Sequence, residues 1–397
     1  MKVLQINSVC GIRSTGRICT DLAEILESHG HECKIAYGRE HVPEKYEKYA
    51  HRIGSNRDVL IHAFFSRIFD NSGFMSKRAT KKFVKWIREY NPDIIHLHNI
   101  HGYYINIEVL FKFLKEFNKP VVWTMHDCWA FTGHCSHFDY VGCSKWQDGC
   151  HNCSQKKEYP SCLLMDGSKR NYKKKKELLE IGKDLTIITP SLWLAGLVRQ
   201  SFVGENNVEV INNGIDLSIF RPVESNFKNK YKIQDKKMLL GVASVWNDRK
   251  GFDTFLKLAE KIDKNTVIVM VGVNDSQLKI LPENIIGIKR TNSTEELAKI
   301  YSAADVFINP TMEDTFPTTN LEALACGTPV ITYKTGGSVE SITDECGIVV
   351  SKGDIDGILK CISELNCSTS EILNHALKFN RNDRYEEYIN LYMRCLK

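Results

Sequence analysis

Short, largely apolar runs recur along this chain: Val3 to Ile6, Ile94 to Leu97, Val121 to Thr124, Leu185 to Thr189, Leu239 to Ala243, Val267 to Val273, Val306 to Ile308 and Val330 to Thr332. A run that stays apolar instead of alternating suits a strand covered on both faces, as in a parallel sheet. The stretches between, such as Arg17 to Ser28 before Gly30 and Phe252 to Ile262, repeat apolar residues at helical spacing and keep a polar face. Alternation of the two predicts an α/β fold.

At 397 residues the chain exceeds what one core usually supports, which predicts two domains. The alternation pauses between Asn206 and Lys237, where Val208-Glu209-Val210-Ile211-Asn212-Asn213-Gly214-Ile215-Asp216 runs into Phe220-Arg221-Pro222 and a Lys-rich stretch. The expected division is a Rossmann-like domain over 1–218 and a second over 219–381, with a cleft between them at the C-terminal ends of strands. A terminal helix, 382–397 with Tyr385 to Leu396 at its heart, is expected to cross back to the first domain.

A hydrophobic fraction of 43% and a charged fraction of 25% mark an ordinary globular protein, and a net charge of +5 gives no general case for nucleic acid. The start, Met1-Lys2-Val3-Leu4-Gln5-Ile6-Asn7, does not read as a secretory signal, and no apolar stretch reaches spanning length, so a cytoplasmic protein is expected. In that reducing setting 14 cysteines argue for metal binding or core packing over disulfides.

The segment from Ile308 to Pro329 carries the chemistry. A strand ends, a loop presents Glu313 and Asp314, a helix opens near Thr318 with Glu322 in its early turns, and Gly327 and Pro329 stop it. Such a start offers free N–H groups and a positive dipole end to phosphate or sugar oxygens, and a carboxylate can accept from both hydroxyls of a ribose. On spacing alone, helix-start decoration by the same acids is equally good.

The segment resembles the donor signature of the retaining glycosyltransferases of family 4, in which two acids eight positions apart precede an Ala and a Cys-Gly-Thr-Pro run. The resemblance extends through Asn212-Asn213-Gly214-Ile215-Asp216 with Phe220 and Pro222, Arg249-Lys250-Gly251, Ala304-Asp305-Val306 and Thr335-Gly336-Gly337-Ser338-Val339-Glu340. Asp93 to Tyr103 and Thr124-Met125-His126-Asp127 are similar to the branch that builds capsule, colanic-acid and exopolysaccharide repeat units. The resemblance implies the GT-B fold, two Rossmann-like domains facing each other across a cleft. It further implies transfer of a sugar from a nucleotide-sugar donor to a saccharide acceptor with retention, without a protein nucleophile. An Asp-x-Asp pair near the donor segment is missing, Asp354-Ile355-Asp356 lying far downstream, so no catalytic metal or other cofactor is expected.

By the same resemblance Glu322 binds the donor ribose and Asp314 faces the transferred sugar, with Glu313 next to it as an alternative. Phe316, Thr318, Thr319 and Asn320 belong to the donor segment, and Pro317, where the family often has Gly, lacks an amide N–H. Lys250 is expected to neutralise the leaving diphosphate, with Arg249 replacing the family's usual Arg, whose place holds Val245. Gly11-Ile12-Arg13-Ser14-Thr15-Gly16 follows the first strand and opens a helix, so Gly11 and Gly16 are donor-side candidates in a loop that is otherwise an ordinary tight turn. His126, at a strand end before Asp127, matches a family His that contacts the donor sugar. His98 and His101 are weaker candidates on the acceptor side.

Cys135, Cys143, Cys150 and Cys153, the last two a Cys-x-x-Cys pair, match the ligand set of one structural zinc; reduced thiols in a compact loop are the alternative. Ser76 to Tyr90 places Phe83, Trp86, Ile87 and Tyr90 at helical spacing among six basic residues, and Lys169 to Lys176 adds a second basic run. These predict peripheral contact with the inner face of the plasma membrane, suited to a lipid-linked acceptor, with packing on the protein's own sheet as the alternative. Other functions stay open at this stage: an epimerase or phosphorylase on the same fold, or a non-catalytic nucleotide-sugar or glycan-binding protein.

Overall fold

A computed structural model describes residues 1–179 and 185–397. It divides into two compact units, one of Met1–Asn212 with Tyr385–Lys397 and the other of Asn213–Arg384. The passage at Asn212 precedes the Ser218 end expected from sequence because Ile215 is tied into the second unit. Its N–H donates to the Phe379 carbonyl at 2.7 Å, its carbonyl accepts from Arg381 at 2.9 Å, and the Asp216 carboxylate meets Arg381 at 3.0 Å.

The first unit is built on seven strands: β1 (Lys2–Ile6), β2 (Glu32–Tyr37), β3 (Ala50–Arg52), β4 (Ile94–Leu97), β5 (Val121–Thr124), β6 (Leu185–Thr189) and β7 (Asn207–Val210). They pair in parallel in the order β3-β2-β1-β4-β5-β6-β7. The second unit has β8 (Lys237–Val242), β9 (Thr266–Val271), β10 (Ile285–Ile288), β11 (Val306–Asn309), β12 (Val330–Tyr333) and β13 (Gly347–Val350). These are parallel too, in the order β10-β9-β8-β11-β12-β13. Both are doubly wound Rossmann-like sheets, in which chain order reverses beside the first strand of the unit.

The pleat sends neighbouring residues to opposite faces, so each sheet separates two cores. Leu4 and Ile95 face one core of the first unit, while Val3 and Ile94 face the other. The same division sets Leu240 and Val269 against Leu239 and Ile268 in the second unit. The terminal helix Arg381–Cys395 buries Tyr385, Tyr388, Ile389, Leu391 and Tyr392 in the second of the first unit's cores. Two of these tyrosines also bond polar groups of the sheet: Tyr388 Oη lies 3.0 Å from Thr124 Oγ1 and Tyr392 Oη 2.6 Å from His96 Nδ1. Among the described residues no helix is long and apolar enough to cross a membrane.

Candidate functional site

In the second sheet the order reverses between β8 and β11, and the loops that leave these two strands converge. After β8 the turn Asp248–Lys250 is capped by Asn247, whose Oδ1 accepts the Lys250 N–H at 3.0 Å. After β11 the chain runs through Pro310 to Pro317 into the helix Thr318–Ala325. Lys250 Nζ lies 2.5 Å from Asp314 Oδ2, both side chains partly exposed. Arg249 works on the backbone: a guanidinium N–H donates to the Glu313 carbonyl at 3.1 Å, and the Arg249 carbonyl accepts from Met312 N–H at 2.8 Å. Arg249 thus holds the acid loop in place while Lys250 pairs with its carboxylate.

Of the two acids in this loop, Asp314 is the one that pairs with Lys250, and Glu313 is buried. A third loop, following β12, supports it. Thr335 Oγ1 donates to the Met312 carbonyl at 2.7 Å, and Gly337 N–H to the Asp314 carbonyl at 3.1 Å. Gly336 has φ +48, and a Cβ there would run into that same Asp314 carbonyl, so both conformation and space require glycine.

The helix Thr318–Ala325 opens without a side-chain cap, leaving the half-buried Thr318 and Thr319 in a first turn whose amides have no carbonyl one turn back. Glu322 is buried beneath it at 2% exposure, and Tyr301 Oη donates to its Oε2 at 3.0 Å. Two other donor-segment candidates belong to the fold. The Phe316 ring packs in the core against Phe379, and the buried Asn320 amide accepts from Asn309 at 2.7 Å while donating to Ser338 and Ser341. Sequence reasoning missed Tyr301, the Asn320 network and the direct Lys250–Asp314 pair, which only the tertiary fold brings together.

The remaining candidates lie in the first unit. Gly11 N–H donates to the Gly16 carbonyl at 3.1 Å, closing the turn at the uncapped start of the helix Arg13–Ser28, and Gly16 packs closely on Val9. His126 follows β5 and hydrogen-bonds to His98 at 3.1 Å; His98 continues to Gln5 Oε1 at 3.0 Å. Burial pushes His126 down to about 4 and His98 well below its ordinary value, so both rings are neutral at physiological pH. His101 Nε2 lies 2.8 Å from Asp127 Oδ2. Burial pushes the Asp127 carboxyl up, but the charge and hydrogen bond of His101 outweigh it and settle the group at about 2.

Two family descriptions match, Glycosyltransferase Family 4 over residues 15–219 and Glycosyl transferases group 1 over residues 223–383. The chain belongs to glycosyltransferase family 4. It is 22% identical to a protein assigned as the colanic acid biosynthesis glycosyl transferase WcaC of Escherichia coli K12, over 99% of each chain. It is 27% identical to the N,N'-diacetylbacillosaminyl-diphospho-undecaprenol alpha-1,3-N-acetylgalactosaminyltransferase of Campylobacter jejuni, over 51% of this chain and 58% of that one. The sucrose-phosphate synthase of Thermosynechococcus elongatus shares the fold, with a TM-score of 0.71 and 18% identity over 99% of this chain and 98% of that one.

For the basic aromatic helix of the glycosyltransferase, the structure shows the second of the two readings, packing on the protein itself. In the helix Lys77–Tyr90, Phe83 and Ile87 are core residues and Trp86 stacks on His51 with ring centroids 3.6 Å apart. The aromatic face therefore packs on the protein's own sheet edge, with Trp86 and Tyr90 partly buried. The exposed apolar surface lies instead on the helix Asn56–Phe69, which presents Leu60, Ile61, Phe64 and Phe65 to solvent. Leu163, Leu164 and Met165 extend it, because Leu163 N–H donates to the Arg67 carbonyl at 2.7 Å and Met165 N–H to the Ile68 carbonyl at 3.1 Å. Exposed Arg57, Arg67, Lys169 and Arg170 surround this patch in the sequence, and Arg170 Nη2 donates to the Phe69 carbonyl at 2.9 Å.

Cys135, Cys143, Cys150 and Cys153 line one small cavity together with His134. Among the described residues no group of three or more His, Cys, Asp or Glu side chains is already arranged to hold a metal ion. Asp354 caps the helix Ile355–Glu364 through the Gly357 N–H and Asp356 pairs with Lys261, so this downstream acid pair serves local structure.

Proposed function

We propose that the enzyme transfers a sugar from a nucleotide-sugar donor to a lipid-linked saccharide acceptor in cell-surface polysaccharide biosynthesis, retaining the anomeric configuration and using no catalytic divalent ion. The observation that carries this reading is the Lys250–Asp314 pair beside an uncapped helix start at the reversal of strand order. As the glycosidic bond to phosphate breaks, negative charge collects on the leaving diphosphate, and a preplaced ammonium with free first-turn amides stabilises it. Asp314 then faces the sugar. Glu322, held by Tyr301, accepts from the ribose hydroxyls.

The acceptor class is supported by the Campylobacter relative, whose name specifies a diphospho-undecaprenol-linked substrate. Polysaccharide biosynthesis is supported by the likeness to WcaC over nearly the full length of both chains. The exposed apolar patch of Leu60, Ile61 and Phe64 with its basic surround suits the surface of an anionic bilayer, where such an acceptor resides. This is a peripheral contact at the inner leaflet.

The test is a panel of nucleotide-sugars incubated with and without undecaprenyl-diphosphate-linked saccharides, in buffer containing a chelator. The expected result is a new glycosidic bond whose anomeric configuration, read by NMR, matches the donor. An epimerised nucleotide-sugar formed without acceptor, or an inverted product, overturns the reading.

A further inference from the structure

The loop between β5 and the helix Ser168–Leu179 contains polar groups that the transfer reaction does not use. His134 is completely buried, its Nδ1 lies 2.6 Å from Asp70 Oδ1, and its Nε2 has no hydrogen-bond partner. Leaving such an atom unpaired in the interior costs about 1–3 kcal/mol. The same ring lines the cavity of Cys135, Cys143, Cys150 and Cys153.

Lys175 is the second anomaly. It is 1% exposed, and its ammonium donates to the carbonyls of Trp129 at 2.6 Å and Thr132 at 3.0 Å while lying over the Trp129 ring. Its direct partners are carbonyl dipoles, and a buried cation normally has an anion beside it. The four cysteines already line one small cavity, and Cys150 Sγ accepts the Gly133 N–H at 3.2 Å.

We infer that Cys135, Cys143, Cys150 and Cys153 bind one zinc ion as four thiolates, with the buried His134 and Lys175 side chains in its outer sphere. The cavity they line measures about 20 Å3, room for one ion. The four side chains are not arranged to hold an ion in this structure, and the site requires them to turn toward one another. Binding of Zn2+ releases four thiol protons to solvent and leaves a site of net charge −2. Lys175 gains a nearby anion, and His134, oriented by Asp70 at Nδ1, has its unpaired Nε2 available to a sulfur. The ion is structural, pinning the loop that follows His126 and Asp127, and four protein ligands leave no open position for substrate.

The experiment uses the full chain, purified without chelator. Elemental analysis is expected to find about one zinc per chain, lost in the double variant Cys150→Ser/Cys153→Ser. Because that variant risks misfolding, a second measurement is made on the wild type by replacing the metal with Co2+. Four thiolates then give the ligand-field bands of tetrahedral cobalt with an intense sulfur-to-cobalt charge-transfer band. His134→Ala is expected to keep the stoichiometry but release zinc faster to a chelator. A folded, metal-free protein whose four thiols all react freely, zinc retained in the double variant, iron with labile sulfide, or cobalt bands without sulfur charge transfer each overturn the assignment.

Discussion

Lys250 Nζ and Asp314 Oδ2 lie 2.5 Å apart, the amine from the loop after β8 and the carboxylate from the loop after β11. On the proposed reaction, the cation that neutralises the leaving group and the acid that faces the sugar position each other before any substrate arrives. Lys250→Met is expected to lower kcat by about a hundredfold or more while leaving the melting temperature within a few degrees. Asp314→Asn should also depress kcat, through sugar positioning and a freed lysine. Steady-state kinetics with saturating donor tests this, and wild-type turnover in Lys250→Met would remove the leaving-group role.

Glu322 and Tyr301 separate charge from positioning. Glu322→Ala removes the carboxylate and is expected to abolish transfer. Tyr301→Phe removes one hydrogen bond to Glu322 Oε2, worth about 1 kcal/mol, and should weaken donor binding by roughly fivefold. Calorimetric titration with the nucleoside diphosphate product reads both. Unchanged affinity in Glu322→Ala would place the ribose elsewhere.

Gly336 and Gly353 form a matched pair, at φ +48 and φ +78, but only Gly336 has a backbone atom where a Cβ would sit. Gly353→Ala should therefore cost only the strain of a left-handed alanine, about 1 kcal/mol. Gly336→Ala should cost about 2–3 kcal/mol or more, adding displacement of the Asp314 carbonyl, and should slow turnover as the acid loop shifts. Urea midpoints and kcat measured together test the claim, and equal midpoints would show that the loop yields freely.

Much of this was legible in the sequence, for a physical reason. The central strands are buried on both faces, so β1, β4, β5, β6, β8, β9, β11 and β12 announced themselves as apolar runs. The outer strands β2, β3, β7, β10 and β13 carry residues such as Glu32, Arg52 and Glu209, or a glycine such as Gly287, and gave no such signal. Asp314 and Glu322 flank a helix start, a local feature, and their roles and that of Lys250 came from the family resemblance. Tyr301, the His134–Asp70 pair and the burial of Lys175 within a lysine-rich run depend on contacts between distant segments, which local periodicity does not carry. The two readings of the helix Lys77–Tyr90 had the same origin: it is strongly amphipathic, and amphipathicity looks alike whether its apolar side meets a sheet or a bilayer.

The histidines of the first unit set a pH dependence of stability. His126 titrates at about 4 in the folded chain against an ordinary 6.5, chiefly because burial penalises the imidazolium. Unfolding restores the ordinary value, so between these two pH values the unfolded state holds the extra proton. The stabilisation is complete above pH 6.5 and is lost as pH falls through the window, roughly 2 kcal/mol from His126 by pH 5. His96 and His98, also lowered by burial, add in the same direction. Urea midpoints should be level above about pH 7 and fall below 6.5, less steeply in His126→Asn. A level profile down to pH 5 would mean that these rings are not held neutral.

The exposed patch gives the last expectation. Leu60 and Phe64 lie more than half exposed on one helix, beside Leu163 and Leu164, so neither contributes much to folding and both are free to enter a lipid interface. Each such side chain transferred from water gains about 1.5–3 kcal/mol, while the surrounding arginines add an attraction that salt screens. Wild-type protein is expected to sediment with vesicles containing anionic phospholipid, less at high salt and weakly with neutral vesicles. Leu60→Glu/Phe64→Glu should reduce binding at least tenfold with little change in melting temperature, and should slow transfer to a lipid-embedded acceptor more than to a water-soluble analogue. Phe83→Glu should instead unfold the protein, since that ring is 3% exposed within the core. Vesicle binding that survives the double substitution would move the membrane contact to another face.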